Sequence, residues 1–400
     1  KGEKGETKAE KGEQEEKEPT EEENKAEEKK DESKDSKAPS AEENKQQEEE
    51  TRQKLMEDME LGQMQDAVNQ ILKEDSFSIE EILNQILKGE SLFQKETMSK
   101  WFKNIVKAQL QREQKAMFQV VLLVLLAAVF SNFTAVFGDG KIGETSFYIT
   151  YMLLLALLIK SFGSMGVELK ELLENFILFL KALMPSYFLA VTASSGSATA
   201  MIFYEAVLFL IYVIQVVFLK GIVPAIYVLA LVELVNYLHS EDFLSKMAEL
   251  LQTLIEWSLK SCMAVVLGMQ LIQNMIGPAM DSLKRDIIGE TAASIPGIGN
   301  AINGVTEVAL GTAVIIRNGI GVVGIIILVC IGIRPVIRLA LLAFLYKLLA
   351  AVVQPVSDKR MTGALSTIGN GYVLFLKVLL CMELLIFITI AILSISFIGK

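Results

Sequence analysis

Between Ala116 and Gly138 the chain runs for 23 residues without a charged side chain. An α-helix rises 1.5 Å per residue, so this run is ~34 Å long, enough to cross the hydrocarbon of a bilayer. Further apolar runs follow at Phe147–Val167 (interrupted by Lys160), Thr199–Leu219, Gly221–Leu238, Ser261–Met280, Asn318–Val353 and Tyr372–Ile398. The stretch Asn318–Val353 carries Arg334, Pro335 and Arg338, and reads either as one kinked span or as two short ones. The expected fold class is all-α: a polytopic integral membrane protein of about seven transmembrane helices.

The charge is distributed to match. Residues 1–60 hold 13 Lys/Arg and 23 Asp/Glu, residues 61–115 hold 8 of each, and residues 116–400 hold 17 of each. All of the net charge of −10 therefore lies in the first 60 residues. About 12% of the last 285 residues are charged, roughly half the share in a globular protein. This excludes a soluble enzyme, a nucleic-acid-binding domain with a basic face and a disulfide-stapled secreted module.

Three regions follow: a tail over 1–54, amphipathic helices over 55–115 and a multi-pass helical membrane domain over 116–400. No Leu, Ile, Val or Phe occurs before Leu55. The acidic tail cannot bury enough apolar surface to offset the entropy of ordering, so disorder is expected there. Ser78-x-x-Glu81 is a capping box that opens a helix striped by Ile79, Ile82, Leu83, Ile86 and Leu87, with Gly89 as its stop. A second stripe, Met98, Trp101, Phe102, Ile105, Val106 and Leu110, leads into the first apolar run. It can lie on the lipid surface or pack on the first helix. Two more amphipathic pieces, Val167–Leu183 and Ser240–Lys260, can lie in an interface plane or line a bundle.

Cys262, Cys330 and Cys381 each sit in an apolar run without paired spacing, and read as small buried hydrophobes. A single histidine, His239, cannot build a zinc or haem site. No cofactor and no catalytic activity are expected. Polar residues inside apolar runs are costly and point to function. Here they are Glu205, Gln215, Glu233, Asn236 and Glu383. They form either a polar pathway or inter-helix contacts, or else they are interfacial groups satisfied by a neighbouring backbone. Ser194-Ser-Gly-Ser-Ala-Thr-Ala is a small, polar break, either a surface loop or a close helix approach.

Glycine is concentrated late in the chain. Nine of the 27 glycines fall between 289 and 332. Pro296-Gly297 breaks any helix. Gly304 and Gly311 are seven residues apart, two helical turns, and so share one side. Together with Pro296, Gly297, Gly299, Gly319, Gly321 and Gly324 they are the candidates for helix or subunit packing, or for pore lining. Gly319-Ile-Gly-Val-Val-Gly spells a dinucleotide fingerprint, but it lies in an apolar run without a βαβ unit and is not read as one. Arg317 is expected to snorkel from the end of this span.

The block Lys284-Arg-Asp-Ile-Ile-Gly-Glu-Thr-Ala-Ala-Ser-Ile-Pro-Gly-Ile-Gly-Asn-Ala-Ile-Asn-Gly, with Glu307, Gly311, Arg317 and Gly319-Ile-Gly, resembles the stage III sporulation protein AE family. The layout of residues 60–400 is similar as well, and the specific likeness lies within about 285–335. The resemblance implies a multi-pass protein of the mother-cell membrane that engulfs the forespore. It implies partners: the other proteins of the stage III sporulation A complex and a forespore protein, which together form a channel or secretion-like apparatus for late forespore development. Members are made with an N-terminal signal sequence, and this chain starts at Lys1 rather than Met, as removal of a signal peptide would leave it. The basic residues at 100–115 favour a cytoplasmic N-terminus, whereas the resemblance favours an extracytoplasmic one. It offers no catalytic residues. Membrane lipid and further copies of the chain are expected partners; nucleic acid is not. The alternative function is a stand-alone transporter or permease, which calls for paired repeat halves with broken helices; the sequence offers one Gly-rich break. An intramembrane enzyme would need a nucleophile–base pair or a metal cluster at matching depths.

Overall fold

The apolar runs and the amphipathic pieces between them join into long helices. The computed structural model describes residues 61–73, 76–88, 95–136, 140–195, 198–238, 242–292 and 299–395. Side-chain surroundings are described within those ranges outside 95–98, 101, 130–136, 140–143, 191–195, 198–204, 270, 273–292, 299–311, 313 and 392–395. Among the described residues the regular elements are nine α-helices and one π-helical turn. They are α1 (Leu61–Leu72), α2 (Ile79–Leu87), α3 (Lys95–Val136), α4 (Gly140–Ser195), α5 (Ala198–Val217), the π turn (Phe218–Ile222), α6 (Val223–Asn236), α7 (Ser245–Ala292), α8 (Gly299–Val353) and α9 (Lys359–Ile395). The tail expected over 1–54, His239 and Pro296-Gly297 lie outside the described residues.

Local chemistry explains the small helices. The Ser78 hydroxyl accepts from the Glu81 amide at 3.3 Å and caps α2. Gln65 ties α1 to that start, donating to the Phe77 carbonyl and accepting from the Ile79 amide, both at 2.8 Å. The amphipathic stripe after residue 98 does not form a bundle with α2. It continues straight into α3 with Phe102 exposed, while α2 packs on α8.

Among the described residues, five helical stretches are long and apolar enough to cross a membrane: Glu144–Ala190, Glu205–Asn236, Ser245–Met269, Val314–Val353 and Lys359–Ala391. The expected count of about seven is not reproduced among these, for two reasons. Lys220-Gly221 looked like a break between two spans. The structure instead carries the helix through it as a π turn, which absorbs one extra residue without leaving the axis. The first apolar run forms the end of α3, part of which lies beyond the described side chains, and it is not among the five. Asn318–Val353 is a single helix through Pro335.

These helices exceed one bilayer. The 56 residues of α4 reach ~84 Å, against a hydrocarbon layer of ~30 Å. Val167–Leu183 therefore lines the bundle: Leu169, Leu173, Phe176 and Leu180 are all buried. The stripe after Ser240 does the reverse. Phe243, Met247, Leu250 and Leu254 are exposed, and Ala248 and Ile255 face inward.

Helices pack here through close approach, because burial among apolar lipid tails supplies little driving force. At one end the α8–α9 turn over 354–358 meets the start of α4 and the end of α6. The Arg360 guanidinium lies 3.5 Å from the Phe147 ring centre, the Tyr151 hydroxyl donates to the Leu234 carbonyl at 2.6 Å, and the Tyr237 ring sits against Gly363. We call this the hairpin end. In the middle Phe162 stacks on Phe375 at 4.6 Å and meets the Tyr227 ring edge-on. Gly166 and Gly371 make room for this cluster; a Cβ on Gly371 would lie 2.6 Å from the Phe162 ring. At the far end a Cβ on Gly319 would lie 2.8 Å from Leu83 of α2, and one on Gly324 would lie 3.4 Å from Leu183 and 3.7 Å from Ile390.

Candidate functional site

Two polar features interrupt the apolar bundle. The first is an ionic cluster where α3, α4 and α8 meet. The Arg338 Nε donates to Glu113 Oε1 at 2.9 Å, and its Nη1 donates to Glu168. Arg112 donates to the other oxygen of Glu168 at 3.3 Å. Arg338 and Glu113 are nearly buried, with side chains 12% and 9% exposed. A charge held this far from water persists only with a partner. Close by, the Ser161 hydroxyl bridges Tyr346 at 3.3 Å and Tyr372 at 3.0 Å, so α4, α8 and α9 share one hydrogen-bonded layer.

The second feature is a groove of about 230 Å³ between α6, α7, α8 and α9. Its polar wall consists of Glu233, Gln252, Lys347, Thr367, Asn370 and Lys377. Thr367 donates to the Glu233 carboxylate at 2.6 Å. Lys377 donates to Glu256 of α7 at 2.8 Å. The Lys347 stem lies across Gly369, where a Cβ would come within 2.9 Å of its Cγ. At the groove's hairpin-end rim, burial pushes the Tyr237 hydroxyl above the ordinary tyrosine range. The Glu233 carboxylate adds to that shift and a hydrogen bond with Thr367 offsets part of it.

The five intramembrane polar residues singled out in the sequence do not converge. Gln215 is buried and donates to the Leu173 carbonyl at 3.0 Å, an inter-helix contact satisfied by backbone. Asn236 closes the corner between α6 and α7. Its amide donates to Asp242 at 2.8 Å, and its oxygen accepts from the Phe243 and Leu244 amides at 3.1 and 2.9 Å. That bond holds the Asp242 carboxyl below the usual aspartate range. Glu205 is exposed. Glu383 is half-buried, with its carboxylate where a Cβ on Gly332 would fall, 2.6 Å away. Only Glu233 belongs to the groove.

The glycines divide in the same way. Gly319 and Gly324 pack against this chain's own helices, and Gly321 is buried. Gly299, Gly304 and Gly311 lie in α8, with surroundings outside the described residues. Arg317 does not snorkel. It is fully buried with Tyr187 nearby, because α2 covers that part of α8. Sequence reasoning missed Arg338, Glu113 and Lys347 as site residues. For Arg338 and Lys347 the available signal was an ionisable side chain within an apolar stretch, the criterion that selects Glu233; Glu113 lies in the charged segment before the first apolar run and carried no such signal.

Comparison with known proteins bears on what this bundle serves. A family model described as stage III sporulation protein AE matches residues 77–396. A curated relative, "Stage III sporulation protein AE" of Bacillus subtilis (strain 168), is 23% identical over 279 residues, covering 70% of each chain. No solved structure matches the chain. The family match takes in α2 to α9 whole, including the ionic cluster, the groove and the glycine-rich helix. On that extent the chain is a member of the stage III sporulation protein AE family, a helical protein with a role in sporulation.

Proposed function

We propose that this chain is a membrane component of a multiprotein channel or secretion-like complex in the mother-cell membrane around the forespore. In this reading it is a structural or conducting part of that complex, not an enzyme. The observation that carries the reading is the family match across 77–396, which spans all five candidate membrane-crossing stretches. Its partners are the other stage III sporulation A proteins, a forespore protein and further copies of the chain. The contact between copies is assigned to the α8 segment around Gly304 and Gly311, since Gly319 and Gly324 are already occupied by Leu83, Leu183 and Ile390. Small residues two turns apart let two helix backbones approach closely. The N-terminal region lies outside the cytoplasm in this arrangement.

The test is a native-membrane purification of the tagged chain from sporulating cells. Co-purification of other stage III A proteins, lost when sporulation is blocked before their synthesis, is the expected result. Recovery of the chain alone from membranes where those proteins are present would overturn the proposal.

A further inference from the structure

We propose that the groove between α6, α7, α8 and α9 binds the headgroup of an ethanolamine phospholipid, with the phosphate on Lys347 and the ammonium on Glu233. Lys347 has no carboxylate partner among the described residues, while Lys377 is engaged by Glu256. Glu233 accepts from the Thr367 hydroxyl, and a carboxylate has about four acceptor sites. Lys347 is exposed at the groove and Glu233 is half-buried, so both charges are open to a bound ligand. A zwitterion with a phosphate and a primary ammonium satisfies both, and the exposed Asn370 amide adds a donor to the phosphate side. Choline carries no N–H to donate to Glu233, and a glycerol headgroup carries no cation.

The lining is graded with depth. Glu233 is four residues from Tyr237, Lys347 six from Val353, and Thr367 and Asn370 four and seven from Gly363. By helical rise these lie ~6–10 Å from the hairpin end. The apolar wall formed by Ile226, Leu229, Val373 and Leu374 lies deeper, ~12–16 Å from the same end. The Glu256–Lys377 pair closes the deep side. A polar rim beside an apolar wall suits an amphiphile, and it favours a lipid over a soluble zwitterion of the same headgroup chemistry. Lys347 is held in place for this role, since its stem crosses α9 only because position 369 is glycine. The site stands on the groove alone and is independent of which proteins the chain assembles with.

The experiment uses the purified full chain, delipidated in detergent and titrated with four probes, read as bound stoichiometry by native mass spectrometry. The probes are phosphatidylethanolamine, phosphatidylglycerol, phosphatidylcholine and soluble phosphoethanolamine. The expected result is one phosphatidylethanolamine per chain, held about tenfold more tightly than either other lipid, as one charge-assisted hydrogen bond provides. Lys347→Gln and Glu233→Gln each lose that preference, and Lys359→Gln, an exposed lysine at the hairpin end outside the groove, keeps it. Equal retention of all three lipids by the unaltered chain overturns the headgroup assignment without any variant having to fold. Phosphoethanolamine bound as tightly as the lipid overturns the lipid as the source. A preference that survives both groove variants moves the site elsewhere.

Discussion

Arg338→Gln separates a structural ion pair from a decorative one. Arg338 and Glu113 are 12% and 9% exposed, and they join α8 to α3 across 225 residues of sequence. Loss of the guanidinium leaves Glu113 buried without its counter-charge. Breaking a pair so buried costs about 3–5 kcal/mol, most of it the desolvation of the orphaned carboxylate. The Glu168 side of the cluster differs. Glu168 is 36% exposed and keeps Arg112, itself 58% exposed. Water and the second arginine compensate there, so Glu168→Gln is expected to cost no more than about 1 kcal/mol. The double variant Arg338→Met/Glu113→Leu removes both buried charges and is expected to be close to the unaltered protein, a coupling of at least about 2 kcal/mol. With Arg338→Met and Glu113→Leu also made singly, reversible unfolding of the purified chain in mixed micelles, with increasing denaturing detergent, reads all six proteins on one scale. An Arg338→Gln effect within about 0.5 kcal/mol, or a double variant equal to the sum of its singles, would refute the argument.

Four further outcomes are expected. A Cβ on Gly324 would sit at ordinary contact distance from Leu183 and Ile390, so Gly324→Ala should be near neutral or stabilising by up to about 1 kcal/mol. Gly324→Leu should cost about 1–3 kcal/mol by overpacking, read in the same unfolding assay. At Gly304 and Gly311 the graded loss, Ala then Leu, should instead appear in complex assembly and spore yield with membrane insertion unchanged; tolerance of Leu at both would remove the proposed subunit contact. The Asp242 carboxyl is held below its ordinary value of 3.8 by Asn236, so its folded-state pKa is the lower one. Its contribution is present above the ordinary value and is lost as pH falls through the folded one, so the stability difference between the native chain and Asp242→Asn should vanish in that acidic window. A cysteine placed at Ser36 should react with a membrane-impermeant thiol reagent in intact cells before engulfment is complete; labelling only after permeabilisation would favour the charge rule over an extracytoplasmic N-terminus.

Which parts of the molecule were legible in the sequence follows from the range of the interactions. The cap at Ser78 and the stripe of α2 are local, and both stand in the structure as the spacing predicts. Helices of membrane-crossing length were legible too, because an uncharged run has few other uses. Where one helix ends was not. Lys220-Gly221 carries a charge and a helix breaker, yet the packing of Phe218 and Ile222 on the core continues the helix through a π turn. The amphipathic pieces were ambiguous because a stripe does not say what it faces. Leu169 to Leu180 turned inward, whereas Phe243 to Leu254 turned outward. The groove was the least legible part. Glu233 stood out alone, but Thr367, Lys347 and Asn370 reach it from two other helices more than a hundred residues away, and only the folded bundle brings them together.

A role in sporulation is read out in the cell that carries this protein. With its gene deleted and late forespore gene expression followed by a fluorescent reporter, the account predicts that engulfment completes but the late reporter stays dark. Re-expression of the intact chain should restore it. Normal reporter activity and normal spore yield in the deletion strain would contradict a role in the sporulation complex.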